Sequence, residues 1–311
     1  MKRTTSKLGQ LLLIGLGTLS FDLPVSSVRS QPTRSQSALQ LSEFPTQTTT
    51  VQFPSADQNQ LTQLLQQAPQ LQQQAWPQLL QTLAAKFEGA AYTGGLLDQS
   101  PQEELVLSLS QFDCVLFVET VLAIARTLTV EEPSPQVFSN AVQTQRYRQG
   151  HMQGYCSRLH YFSDWIADNQ RRGLVENITP ALGGILLNKP LNFMSQHRQS
   201  YPQLKSTANW QCIQVVETRL QSLPLHYIPQ AQIRGIEASL QPGDIIAVAT
   251  AVPGLDVTHT GLVYQMSDQT KGLIHASPGG SVRIAPDLAT YVANVDQSIG
   301  IIVARPQNSQ Q

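Results

Sequence analysis

The longest apolar run in the chain covers residues 115–128. It is interrupted only by Glu119, Thr120, Arg126 and Thr127, so it is apolar on nearly every side. A helix with that pattern belongs in the interior. Asp113 stands just before it and is the expected N-cap. Upstream, Leu61, Leu64, Leu65, Leu71, Leu79, Leu80, Leu83 and Ala84 recur at helical spacing. Pro69 and Pro77 should divide that stretch into two or three short helices with Gln-rich solvated faces. The glycines after Lys86 end the last of these and open a turn that displays Tyr92. Residues 105–109 read as a short strand or an extended lead-in to Asp113.

The last quarter has a different rhythm. Pro242-Gly243-Asp244 is a turn signal. After it, residues 245–250, 260–265, 272–276, 282–285 and 300–304 form β-branched-rich runs bounded by turns, the mark of strands. The short connections at 267–271 and 277–281 predict antiparallel hairpins. The middle of the chain, 131–235, is mixed, with a helix expected over 208–222 and a loop or short strand over 224–236. The class is therefore α+β, helices first and then an antiparallel sheet with helices on one side. No internal repeat is present.

The N-terminus changes the domain picture. Lys2, Arg3 and Lys7 precede a short apolar stretch, Leu11 to Leu19, too short for the ~20 residues a bilayer takes. Residues 1–27 read as a secretory signal, with Val25-Ser26-Ser27 as the best cleavage candidate. Residues 28–56 are rich in Ser, Thr, Gln and Pro and read as a disordered linker. Residues 57–311 are expected to form a single domain whose first part, 57–95, is helical. An exported, periplasmic or cell-envelope location follows, with no membrane span left after processing. The chain has 311 residues, 13% of them charged, and a net charge of -1. That balance argues against a nucleic-acid partner. The three cysteines, Cys114, Cys156 and Cys212, match no zinc or redox spacing. A Cys156–Cys212 disulfide would leave Cys114 free, one of several arrangements that an odd count allows.

Cys114 falls at the start of the apolar helix, where the macrodipole favours a thiolate. Such a position can bring a cysteine pKa into the ~3.5–7.5 range and make a nucleophile. The competing reading is a small apolar core residue. Of six histidines, His259 and His275 lie on consecutive strand-like segments. If those strands pair, both imidazoles share one face. A thiol nucleophile takes a base, and the base is best oriented by a third polar group. Cys114, His259 and His275 supply these roles, with the Cys114 N–H as an oxyanion donor. Glu119, inside the helix, is expected to satisfy a structural partner.

Four separated stretches occur in an order that resembles a known group. They are Phe112-Asp113-Cys114-Val115, Arg158-Leu159-His160-Tyr161, Asp256-Val257-Thr258-His259-Thr260-Gly261 and Ile274-His275-Ala276. The chain resembles the NlpC-type papain-like cysteine hydrolases of the bacterial cell wall, and within them the N-acetylmuramoyl-L-alanine amidase-like family, over roughly residues 80–306. The resemblance implies a papain-like fold with the nucleophile helix on the C-terminal sheet. It implies Cys114 as nucleophile, His259 as base and His275 as the orienting residue. It places Tyr92 at the substrate cleft; His160, with Arg158, is the candidate substrate wall, its other reading a helix start packed on the core, and Asp256 either binds a substrate amine or caps a turn, the turn being the favoured reading. The implied substrate is a peptidoglycan stem, cut at the MurNAc–L-Ala amide or the γ-D-glutamyl–diamino acid bond, without metal or cofactor. Ala91 stands where the superfamily has Pro, and Val115-Leu116 where it has small residues. A catalytically silent murein-binding scaffold, or a cysteine acyltransferase or esterase on the same fold, are the other readings. Oligomeric state is not legible.

Overall fold

Order along the chain explains how the site is built. The structure, a computed structural model, describes residues 50–308. It runs β1 (Val51–Gln52), α1 (Ser55–Leu65), α2 (Ala68–Leu71), α3 (Trp76–Ala85), β2 (Ala91–Tyr92), β3 (Leu105–Val106), β4 (Gln111–Phe112), α4 (Cys114–Thr129) and α5 (Pro135–Arg146). Then come α6 (Phe162–Arg171), β5 (Val175–Asn177), β6 (Ile185–Leu186), α7 (Phe193–Gln196), α8 (Thr207–Leu220), β7 (His226–Pro229) and α9 (Ile233–Ile236). The last quarter supplies β8 (Ile245–Thr250), β9 (Val257–Gln265), β10 (Lys271–Ala276), β11 (Val282–Ala285), α10 (Leu288–Ala293) and β12 (Ser298–Pro306).

The expected signal, and the linker up to residue 49, lie outside the described residues. The end of that linker is corrected. Residues 50–56 belong to the fold, because β1 pairs in parallel with β3 and α1 begins at Ser55. The buried carboxylate of Asp57 accepts from the Leu109 N–H at 2.9 Å and ties α1 to the segment leading into α4. Pro69 and Pro77 sit in the first turns of α2 and α3, where a missing N–H breaks nothing. They start helices rather than interrupt one.

The main sheet has the order β11-β10-β9-β8-β12-β7-β6, with β5 pairing β12 off that path. Neighbours along it are antiparallel. Both faces of its centre are covered. Ile245, Ala247, Ala249, Leu262, Ile274, Ala276, Ile302 and Ala304 pack with α4 in one core. The alternate positions Ile246, Val248, Val263, Leu273, Ile301 and Val303 pack with Leu288 and Val292 of α10 in another. Because strand side chains alternate, an all-apolar strand such as β8 must be covered on both sides. The expectation of helices on one side is corrected accordingly. A satellite cluster joins Tyr155, Tyr161, Met194, Ile213 and Leu220. There the Cys156–Cys212 disulfide links α8 to the loop before α6 and leaves Cys114 as the free thiol among the described residues.

The buried helix α4 carries one charged group into the core. Glu119 accepts from Arg146 Nε at 2.7 Å and from Trp165 Nε1 at 3.1 Å. This is the structural partnership expected of it. No helix among the described residues is long and apolar enough to cross a membrane.

Candidate active site

Asp113 fixes where α4 begins. Its Oδ1 accepts from the N–H groups of Val115 and Leu116 at 2.9 and 2.8 Å, so the first turn is closed by a side chain. Cys114 is then the first helical residue. Its carbonyl accepts from the Thr260 hydroxyl of β9 at 2.9 Å, which pins the helix start to the sheet one residue from His259.

At His259 the β8–β9 ladder slips. Val248 pairs with His259 but Ala249 pairs with Val257, leaving Thr258 as the extra residue. A bulge of this kind re-aims side chains and is common beside active sites. In the β9–β10 register Ile274 stands opposite Leu262, so His275 falls opposite Gly261 and on the same face as His259. A Cβ at residue 261 would lie 2.9 Å from the His275 Cβ and 2.8 Å from the Ile274 carbonyl oxygen. Glycine there leaves the room that the histidine pair uses. His259 Nε2 and His275 Nδ1 share a hydrogen bond of 2.8 Å, with the rings perpendicular and their centroids 4.8 Å apart.

Tyr291 of α10 joins thiol and imidazoles. Its ring lies 4.6 Å from that of His275 and 6.0 Å from that of His259, and its hydroxyl is 3.4 Å from His275 Nδ1. Its own pKa is pushed up to about 12 by burial and then by Cys114. Tyr92 enters from the other direction, since β2 pairs in parallel with β4 and sets Tyr92 against Phe112. Burial, then Cys114, then Asp113 raise its pKa. Cys114, His259, His275, Tyr92 and Tyr291 thus gather at one place.

The resting electrostatics differ from the expectation for a helix start. Burial, and then the Asp113 carboxylate, push the Cys114 thiol up to about 12. Cys114 still keeps some exposed surface, so the surround is dense rather than sealed. Burial and then His275 bring His259 down to about 3. Burial and then Arg283 bring His275 to about 4. Asp113 itself rises to about 6, because burial outweighs its two N–H bonds. At neutral pH the thiol and both imidazoles are uncharged, and the macrodipole argument for a preformed thiolate is overturned by desolvation.

The structure gives three other expected substrate contacts to the fold instead. Arg158 is buried, with Nη2 at 2.6 Å from Asp98, Nη1 donating to the Leu97 carbonyl at 3.0 Å and Nε 3.5 Å from Glu103. A guanidinium so engaged has little left for a ligand. Asp256 is buried and accepts from the N–H groups of Ser163 and Val257, both at 2.8 Å, which is the turn role. His160 Nε2 lies 2.8 Å from the Tyr155 carbonyl oxygen, with its ring against Tyr155, and burial lowers its pKa well below the usual value. Tyr291 was not foreseen: a tyrosine in a short helix after the last hairpin carries no motif. No group of three His, Cys, Asp or Glu side chains among the described residues is arranged to hold a metal ion.

A family model described as N-acetylmuramoyl-L-alanine amidase-like matches residues 82–301. A crystal structure of an N-acetylmuramoyl-L-alanine amidase from Bacteroides uniformis is similar, with 32% identity, 75% of this chain and 99% of that chain covered, and a TM-score of 0.71. A Bacteroides fragilis protein provisionally called a xylanase has 33% identity, 72% and 99% coverage and a TM-score of 0.65. A Legionella pneumophila protein at 20% identity, with 81% and 96% coverage and a TM-score of 0.60, shares the fold. No curated protein matches the chain.

Proposed function

This chain belongs to the N-acetylmuramoyl-L-alanine amidase-like family, and from that premise we propose an exported peptidoglycan hydrolase that cuts an amide of the murein stem through Cys114, His259 and His275. The observation that carries the reading is the 2.8 Å bond between His259 and His275 beside the helix start that bears the free thiol. The papain-like, NlpC-type architecture is part of the proposal. A helix opening on cysteine, packed on an antiparallel sheet that bears the histidines, supports it. The disulfide supports export, since such bonds persist in oxidising compartments.

The tautomers follow from the hydrogen bond. When His259 Nε2–H donates to His275 Nδ1, the His259 Nδ1 lone pair is left to act as base. His275 then carries its proton on Nε2, which is buried with no partner among the described residues. With the thiol near 12 and the imidazole near 3, no ion pair stands ready. The thiol proton moves to His259 as sulfur attacks the carbonyl, and the Cys114 N–H receives the developing oxyanion. The imidazolium returns the proton to the leaving amine. Water, deprotonated by the same imidazole, then opens the thioester and frees acid and thiol.

A second reading, a murein-binding protein without turnover, is favoured by one observation, the raised thiol pKa. Glycoside hydrolysis draws less support, because it takes two carboxylates flanking the bond. The carboxylate beside this thiol, Asp113, is held by two helix N–H groups. Murein cleavage by the full chain should survive a chelator and be lost on alkylation of Cys114 by iodoacetamide. The reverse pattern refutes the thiol mechanism. Muropeptides bound but not cleaved by the wild-type chain would favour the binder.

A further inference from the structure

We infer that Arg283 anchors a free carboxylate of the substrate, so that the site selects peptides with an acidic group next to the scissile amide. This rests on the reading above and goes on to name the feature of the stem that is recognised. Arg283 lies directly opposite His275 in the β10–β11 ladder. Residues opposite one another share a face, with Cβ atoms ~4.5–5.5 Å apart. Its side chain therefore rises on the same side of the sheet as the histidine pair and Tyr291. The electrostatics agree: the Arg283 charge helps lower His275, and it acts on Tyr291 together with Cys114.

Most arginines among the described residues have acidic partners. Arg146, Arg148, Arg158, Arg171, Arg172, Arg234 and Arg305 all pair with carboxylates. Arg283 is exposed and makes one hydrogen bond, from Nη2 to the Gly279 carbonyl at 3.1 Å, and no ion pair among the described residues. That contact holds the guanidinium and leaves most of its five donors free. The guanidinium lies over the turn, with Nη2 3.2 Å from where a Cβ at residue 279 would stand. The same turn is tied to the other wall, because the Tyr92 N–H donates to the Gly280 carbonyl at 2.9 Å and Ala91 bridges to Ser281. Tyr92 and Tyr291 flank the thiol, and Arg283, opposite His275, is the cation on this face without an anion among the described residues.

A planar fork of N–H donors fits a carboxylate in bidentate fashion. One residue of extended chain spans ~3.3–3.6 Å. Arg283 stands one strand across from His275, so a carboxylate held there lies about one or two residues of chain from the histidine pair. A stem whose glutamate is linked through its γ-carboxyl keeps an α-carboxylate at that distance, and a stem amidated there does not.

The test is calorimetric binding to the full chain carrying Cys114→Ala, using two muropeptides that differ only in glutamate α-carboxylate against α-carboxamide. The acid should bind about tenfold or more tightly than the amide. Adding Arg283→Gln should bring the acid down to the level of the amide, and Arg283→Lys should restore part of the difference. Equal affinities for acid and amide in the parent overturn the inference and leave the hydrolase reading standing. So does an Arg283→Gln variant that weakens both ligands alike. Binding of neither muropeptide removes the hydrolase reading and the inference together.

Discussion

Replacing His275 by Gln should flatten the acid sensitivity of the fold. In the native chain His259 and His275 stand near 3 and 4, against ~6.5 for an unfolded histidine. As pH falls below 6.5 the unfolded chain takes up protons that the folded chain refuses. Each histidine therefore contributes stability that is whole above pH 6.5. It is lost as pH falls, at about 1.4 kcal/mol per unit, until the folded pKa is reached. Between pH 6.5 and 4.5 the pair removes roughly 5 kcal/mol. Asp113 works in the opposite sense. Its folded pKa, about 6, lies above the unfolded value. The penalty for burying its charge relaxes as pH drops through 6, returning about 2 kcal/mol by pH 4.5. His275→Gln removes one of the two groups that must charge, and its amide can still accept from His259 Nε2–H. Urea denaturation of both proteins from pH 7 to 4.5 reads the effect. The loss of stability across that range should be smaller in the variant by roughly 3 kcal/mol. Contributions from Asp113 and other groups cancel in the comparison. A variant whose loss matches wild type to within about 1 kcal/mol would show that the pair is not held neutral by burial.

Other substitutions probe other parts of the account. Asp113→Asn keeps a capping side chain but removes the charge that helps raise the thiol, so iodoacetamide should alkylate Cys114 faster at pH 8 than in wild type; an unchanged rate would count against that electrostatic assignment. Glu119→Ala leaves Arg146 charged and buried and should destabilise by roughly 3–5 kcal/mol in urea denaturation, whereas a loss under about 1 kcal/mol would mean the pair is not embedded as described. Gly261→Ala drives a methyl into the His275 Cβ and the Ile274 carbonyl, and murein cleavage should be abolished along with a lower Tm. Replacing Cys156 and Cys212 by Ser should lower stability by roughly 2–4 kcal/mol, read by the same denaturation assay, while Cys114 stays reactive.

Local patterning made much of this molecule legible. The cap at Asp113, the buried helix after it and the five C-terminal strands follow from short-range rules, and the structure has them within a few residues. Histidine parity followed once β9 and β10 were taken as a hairpin. Arg283 was available by the same reasoning, since His275 and Arg283 are equidistant from Gly279 in the turn. What could not be read depends on contacts between distant parts of the chain. The last strand, β12, inserts between β8 and β7, and α10 covers the second face, so Tyr291 arrives at the thiol from a segment with no local signal. The thiol pKa ran opposite to expectation for the same reason. The helix start is visible in sequence, but the packing that desolvates it is not. Arg158 likewise reads as part of a substrate wall until Asp98 and Glu103 are found around it.

The central claim is that Cys114 attacks a murein amide. Wild-type chain and the Cys114→Ala variant, incubated with defined muropeptides and with intact sacculi and read by mass spectrometry, test it directly. The account predicts a cleavage product from wild type alone, with a mass that identifies the bond. A product that persists in Cys114→Ala, or none from wild type on either material, would contradict it.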